Sequence, residues 1–271
     1  KYLMLEMMTY TSFSACLAVM KSSTTVVTLF IASLISLLHA SEKKEQHTAL
    51  RELKKPVTRE HRVTIGGTEI SYESVASEIA LRDAKSEEIA RVFHVSYLKK
   101  GVRDNSKRPV LFAFNGGPGS SSVWLHLAAL GPRIIPTSED GTQPLTAPVT
   151  SVENPFSILD VTDLVFVDPV STGLSRSEEK AKEFHGVKED LDSMADFIRL
   201  WLTKNKRWSS PKYILGESYG ALRAAGLASK VQQRYGIQLN GVILLSGLLD
   251  YRTLSPSQGN DLSYITFLPS L

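Results

Sequence analysis

Two short stretches of this chain carry the residue types that acyl-transfer chemistry needs. Residues 213–220 read YILGESYG, which sets Ser218 between Gly216 and Gly220 directly after a short apolar run. Residues 111–122 read LFAFNGGPGSSS, a glycine-rich turn after another apolar run. A serine on a sharp strand-to-helix turn stands above its sheet, where a base and a substrate carbonyl can reach it. Glycines at the flanking positions avoid collisions with the neighbouring strand and helix. The helix that follows aims free N–H groups and a partial positive charge at the serine, Tyr219 N–H first among them. In the second stretch, Gly116, Gly117 and Gly119 let backbone N–H groups approach a developing oxyanion, and Pro118 stiffens the turn. Such preorganised donors contribute roughly 3–4 kcal/mol each to transition-state stabilisation. Each stretch has a rival reading. The serine could simply cap a helix, and the glycine turn could cradle phosphate. Against phosphate, no Gly-Lys-Ser/Thr follows and the spacing does not match Gly-x-Gly-x-x-Gly. The presence of both stretches favours acyl chemistry.

The elements that must position these residues are also visible. Residues 109–115 (PVLFAFN), 163–169 (DLVFVDP), 212–216 (KYILG) and 241–246 (GVILLS) are short apolar runs, the pattern of strands buried on both faces. Between them lie helical patterns. Over 186–204, Val187, Leu191, Met194, Ala195, Ile198, Trp201 and Leu202 recur at three- and four-residue spacing. A second helix is expected from Tyr219, with Ala221, Ala224, Ala225, Gly226 and Ala228 permitting close packing on the sheet, and a third near Ser122. Strands alternating with helices imply a mainly parallel sheet with right-handed crossovers. Upstream, in 61–99, the runs 68–74, 77–82 and 90–99 have strand-like composition with a Gly66-Gly67 turn between the first pieces, an antiparallel start to the sheet. Together with the serine turn, this is the α/β class and the α/β-hydrolase fold.

The chain has 271 residues, is 42% hydrophobic and 22% charged, and has a net charge of +3. That is an ordinary globular composition. No basic stripe with interleaved aromatics is present, which argues against nucleic acid as a partner. Cys16 is the single cysteine, so no internal disulfide can form. No histidine, cysteine and carboxylate cluster has metal-ligand spacing, and no cofactor is implied. Residues 20–40 have a short positive region at Lys21, an apolar run from Val26 to Leu38 and a small residue at Ala40, the layout of a secretory signal peptide. The run is too short for a comfortable membrane span, which leaves no stable span once the signal is removed. An uncleaved anchor or a buried helix is the alternative. Residues 1–19 fit neither reading and look like mistranslated upstream sequence, with Met20 as the natural start. Residues 41–60 read as an exposed, charged linker, and 61–271 as the catalytic-type domain. The expected location is outside the cytoplasm, periplasmic or extracellular.

An acyl-transferring serine also needs a base. In this fold the order is serine, then an acid, then histidine. His39, His47, His61, His94, His126 and His185 all precede Ser218, and Asp250 and Asp261 are the only acids after it. His126 and Asp168 therefore read as structural, and Asp250 as a loop or capping acid.

The succession NGGPGSSS, DLVFVDPVSTGLSRS and GESYG resembles the serine carboxypeptidase family, especially its bacterial members, from about residue 61 to Leu271. The resemblance implies an α/β-hydrolase with an inserted cap region that removes residues from peptide carboxyl termini. It implies Ser218 as nucleophile and the N–H groups of Gly117 and Tyr219 as the oxyanion hole. Asn115, Gly116 and Glu217 would bind the terminal carboxylate of a peptide substrate. Glu217 can hydrogen-bond a carboxylate only while it carries its own proton, because two like charges in contact repel, so binding should favour acidic pH. Three positions depart from the pattern. Ala129 replaces a second glutamate, Ser120 stands where many eukaryotic members have cysteine, and Ser171 stands where glycine is usual. The end, GNDLSYITFLPSL, resembles the entry to the cap, so the domain reads as incomplete, cut before the cap and the last strands. A chain without the triad aspartate and histidine is expected to be nearly inactive alone. An esterase or acyltransferase on the same scaffold, or an inactive remnant, are the alternatives.

Overall fold

The computed structural model describes residues 55–137, 147–177, 181–247, 250–254 and 257–267. The segments read as upstream sequence (1–19) and signal peptide (20–40) lie outside the described residues, as does the linker up to residue 54. Strand β1 (Val57–Ile65) begins inside the stretch read as linker, and its first four residues are exposed. A strand edge tolerates such residues because backbone pairing, not side-chain burial, holds it.

β1 pairs antiparallel with β2 (Thr68–Arg82) across the Gly66-Gly67 turn, and β2 with β3 (Glu88–Lys99). The two strand-like runs expected at 68–74 and 77–82 form one continuous strand, because Val75 and Ala76 keep their register with Ser96 and Val95. β4 (Val110–Phe114) and a two-strand ribbon, β5 (Arg133–Ile134) with β6 (Val152–Glu153), come next. β7 (Asp163–Val167), β8 (Lys212–Glu217) and β9 (Gly241–Leu245) complete a seven-stranded sheet of order β1-β2-β3-β7-β4-β8-β9. β7, β4, β8 and β9 run parallel, while β3 meets β7 antiparallel. The expected mixed sheet, antiparallel at its start and parallel where the motifs lie, is what forms.

Side chains alternate across a strand, so each face of β4 has its own core. Val110, Phe112 and Phe114 face helices α1 (Val187–Lys204) and α2 (Tyr219–Tyr235), joining Met194, Phe197, Ile198, Trp201, Leu202, Leu227 and Val231. Leu111 and Ala113 face Tyr72, Tyr97, Leu159, Leu164 and Phe166. Burying each large apolar side chain contributes roughly 1.5–3 kcal/mol. The helix expected near Ser122 is a single turn, Val123–Leu125, running into a π-helical stretch, His126–Leu130.

The amino-terminal ends of the central strands are clamped by ion pairs. Asp163, at the start of β7, accepts from Arg108 Nε at 3.1 Å and from Arg207, both buried arginines. Arg207 also donates to the carbonyl of Arg108. A buried charge persists only when paired and hydrogen-bonded, and this cluster meets both conditions. It anchors one end of the sheet and leaves the carboxyl ends to carry the loops of interest.

Candidate active site

Connections leaving β4 and β8 run in opposite directions, β4 toward β7 and β8 toward β9. The carboxyl ends of adjacent parallel strands at such a switch point form a crevice where ligands bind. Phe114 lies opposite Gly216 in the β4–β8 register, so Asn115 and Glu217 leave the sheet side by side. Both sequence motifs meet there.

Ser218 has φ 57° and ψ −122°, a positive-φ conformation rarely adopted by a residue with a side chain. Its backbone is tied on both sides. Its N–H donates to Leu245 O at 3.0 Å and its carbonyl accepts from Ala221 N–H at 3.0 Å. A Cβ on Gly216 would collide with the Gly220 carbonyl, and one on Gly220 would meet the carbonyls of Phe114 and Asn115. Both glycines are therefore required for strand, turn and helix to pass this closely.

Gly116 lies against the serine turn. A Cβ there would stand 2.6 Å from Tyr219 N and 2.9 Å from Ser218 Cβ. Gly117 has φ 109°, open to glycine and strained for other residues. Among the described residues, the N–H groups of Gly116, Gly117 and Tyr219 have no recorded protein acceptor. The structure thus brings Gly116, Gly117, Ser218 and Tyr219 together at one crevice.

Asn115 Nδ2 donates to Glu217 Oε2 at 3.0 Å, while its Oδ1 accepts from Leu125 N–H at 3.0 Å. The second bond sets the amide orientation, so the NH₂ must face Glu217. Asn115 is buried and Glu217 half-buried. Behind Asn115, Asp168 accepts from the N–H groups of Ser122 (3.0 Å) and Leu174 (3.1 Å), joining the loop after β4 to the loop after β7. Burial pushes its carboxyl above the usual range, against the pull of these bonds. The structural reading of Asp168 holds. So does that of Asp250, which caps a 3₁₀ turn and pairs with Arg252, whose hydrogen bond brings its carboxyl down to about 2. Ser171 has φ 69°, so the position where glycine is usual does adopt the conformation glycine prefers.

His61, His94 and His126 are engaged elsewhere. His126 stacks on Phe166, ring centroids 4.6 Å apart, and shares a 2.6 Å hydrogen bond with Tyr97 Oη. Burial lowers the imidazole to about 4 and raises the phenol, so both groups are neutral where they share this bond. His94 packs edge-on to Phe197 of α1, and burial lowers it to about 3. Among the described residues, the Ser218 hydroxyl has no histidine partner.

Sequence reasoning missed one residue that the structure brings to the site. Arg223, 1% exposed, lies on α2 behind the serine turn. It donates to Asp190 Oδ2 at 2.8 Å and to the Asn115 carbonyl at 2.9 Å, and its guanidinium lies over the rings of Tyr219 and Phe114. The available signal was an arginine on the face of an alanine-rich helix that must pack on the sheet.

Several known proteins resemble this chain. Serine carboxypeptidase-like 7 from Arabidopsis thaliana is 29% identical over 58% of this chain and 37% of its own length. The lysosomal protective protein of Mus musculus is 26% identical over 66% of this chain and 35% of its own. The chain thus spans about a third of the length of the curated relatives it matches. The crystal structure of Kex1(Δ)p, a prohormone-processing carboxypeptidase from Saccharomyces cerevisiae, superposes with a TM-score of 0.53 at 22% identity. That match covers 73% of this chain and 42% of that one, and shows a shared α/β-hydrolase fold. The serine carboxypeptidase family model matches residues 83–268, well over half of the chain, and this protein belongs to that family.

Proposed function

We propose that this protein serves serine-type carboxypeptidase chemistry, releasing residues from the carboxyl terminus of peptides through an acyl-enzyme on Ser218. The single observation that carries the reading is the meeting of two turns at neighbouring strand ends: a strained serine beside unengaged backbone donors, flanked by the 3.0 Å Asn115–Glu217 pair. Ser218 Oγ attacks the carbonyl of the last peptide bond. The O–C bond forms, the hydroxyl proton passes to a base, and the carbonyl oxygen gains charge between the N–H groups of Gly117 and Tyr219. The C–N bond then breaks, the amine leaves with a proton, and water hydrolyses the ester. Asn115, Gly116 and Glu217 hold the substrate's terminal carboxylate, Glu217 in its protonated form. The substrate is a peptide, and no cofactor enters this scheme.

Slow turnover by the chain alone, whose histidines all precede Ser218, belongs to the same proposal. Export is part of the same proposal and rests on the composition of residues 20–40. Among the described residues, no helix is long and apolar enough to cross a membrane.

The test is acylation of the purified chain by an organophosphate, read by mass spectrometry, alongside hydrolysis of a blocked dipeptide, its amide and its ethyl ester. Slow labelling at Ser218, lost in Ser218→Ala, is expected. Labelling with turnover of the ester but not of the free acid would replace the peptidase reading with an esterase, a possibility that Ala129 favours. A folded chain that is never labelled would make it a binding protein or remnant. Rapid turnover of the dipeptide, abolished in Ser218→Ala, would refute the expected slowness.

A further inference from the structure

Two arginines of this domain are almost equally buried, and they do different things. Arg207 (4% exposed) pairs with Asp163 and donates to backbone carbonyls at the amino-terminal end of the sheet, far along the strands from Ser218. Arg223 (1% exposed) sits at the other end, between the two motifs. Its Nε holds Asp190 of α1 at 2.8 Å, and its Nη1 holds the Asn115 carbonyl at 2.9 Å. Its guanidinium covers Phe114, the last residue of β4, and Tyr219, the first of α2, with centroid distances of 5.8 and 5.2 Å.

The carbonyl it holds is the important one. A peptide group is planar and trans, so its C=O and the next N–H point in opposite directions. Fixing the Asn115 carbonyl on Arg223 therefore fixes the Gly116 N–H to face away from Arg223. Gly116 is the residue whose α-carbon abuts Tyr219 N, and its own N–H has no recorded acceptor among the described residues. Arginine suits this task because its planar fork engages a carboxylate and a carbonyl at once while its face stacks on rings. A lysine ammonium reaches one partner as a point charge and stacks less well.

We propose that Arg223 is a positioning residue, which by holding the Asn115 carbonyl orients the Asn115–Gly116 peptide so that the Gly116 N–H and the Asn115–Glu217 pair meet a substrate carboxylate together. The carboxylate part of this statement rests on the function proposed above. The orientation part does not.

The two are separated by nuclear magnetic resonance of the ¹⁵N-labelled full chain, with Arg223→Lys, Asp190→Asn and, as a control of equal burial, Arg207→Lys. N-acetylphenylalanine is the probe, with its amide as the uncharged comparison. Arg223→Lys should shift the Gly116 resonance in the free protein, speed its hydrogen exchange, and weaken N-acetylphenylalanine binding about tenfold. Asp190→Asn should do the same to a smaller extent. Arg207→Lys should lower Tm and leave the Gly116 resonance and the binding alone. Folded Arg223→Lys with wild-type Gly116 resonance and affinity overturns the proposal. If Arg223→Lys does not fold, an unchanged Gly116 in Asp190→Asn overturns it equally. If the wild-type chain does not bind the probe, the carboxylate reading fails, and Gly116 in the free variants still decides the role of Arg223.

Discussion

Strands β8 and β9 are parallel neighbours with almost the same composition, Tyr-Ile-Leu-Gly against Val-Ile-Leu-Leu, and they meet different fates. Ile214 and Leu215 of β8 are 0% and 5% exposed, while Val242 to Leu245 of β9 are 37–45% exposed. β8 has β4 on one side and β9 on the other, a helix-covered face and a second apolar cluster on the reverse. β9 has a strand neighbour on one side only among the described residues. Apolar composition states what a strand prefers, but its neighbours decide what it receives. An edge with free N–H and C=O groups and apolar side chains on both faces is a surface on which other chains can pair.

Mutation tests this contrast most strongly. Ile214→Ala should destabilise the domain by about 4 kcal/mol through the cavity it leaves, while Ile243→Ala should cost less than about 1 kcal/mol. Urea unfolding at fixed protein concentration measures both. An equal loss at Ile243 would break the comparison, since it would mean that β9 is covered in solution.

A second test asks whether the well-covered half of the sheet has acid-labile points that β9 lacks. His126 belongs to that half, and its imidazole is lowered from 6.5 to about 4. Between those values the unfolded chain binds a proton that the folded chain refuses, so stability is full above pH 6.5 and falls as pH drops toward 4. The lost stability is about 3 kcal/mol. His94 acts in the same direction. His126→Gln should flatten the acid limb of a stability–pH curve, whereas the wild-type slope persisting in this variant would remove His126 as its cause.

The smallest effect sharpens the point from the loop after β7. Ser171 holds φ 69° on a turn that packs beside Asp168. Ser171→Gly should stabilise the domain by about 1 kcal/mol by removing that strain, against the entropy glycine adds to the unfolded chain. Thermal unfolding reads it as a rise in Tm, and a fall would show that the serine makes a compensating contact.

Much of this was legible from sequence. The runs that became β4, β7 and β8 show because strands buried on both faces need no alternation, and the same apolar composition marks β9 although its side chains stay exposed. The stripe from Leu191 to Leu202 shows because α1 has one wet face. The serine and glycine turns show because close backbone approach demands glycine at fixed places. The Asn115–Glu217 contact could be placed only through family likeness, since their adjacency depends on the β4–β8 register. Arg223 and Asp190 were hidden because a buried ion pair between two helices has no local pattern. The π-helical stretch after Leu125 was hidden for a similar reason, since its His126 packs on Tyr97 and Phe166 from strands distant in sequence.

The positive φ of Ser218 has a consequence for how such a chain would drift. Glycine is the residue most at ease in that conformation, so every generation that keeps a serine there forgoes roughly 1–3 kcal/mol of stability that a single substitution could recover. A domain freed from any need for a nucleophile would gain robustness by losing this one. Position 218 is therefore where stability and use pull in opposite directions, and its identity across descendants of this chain would be a running record of which has prevailed.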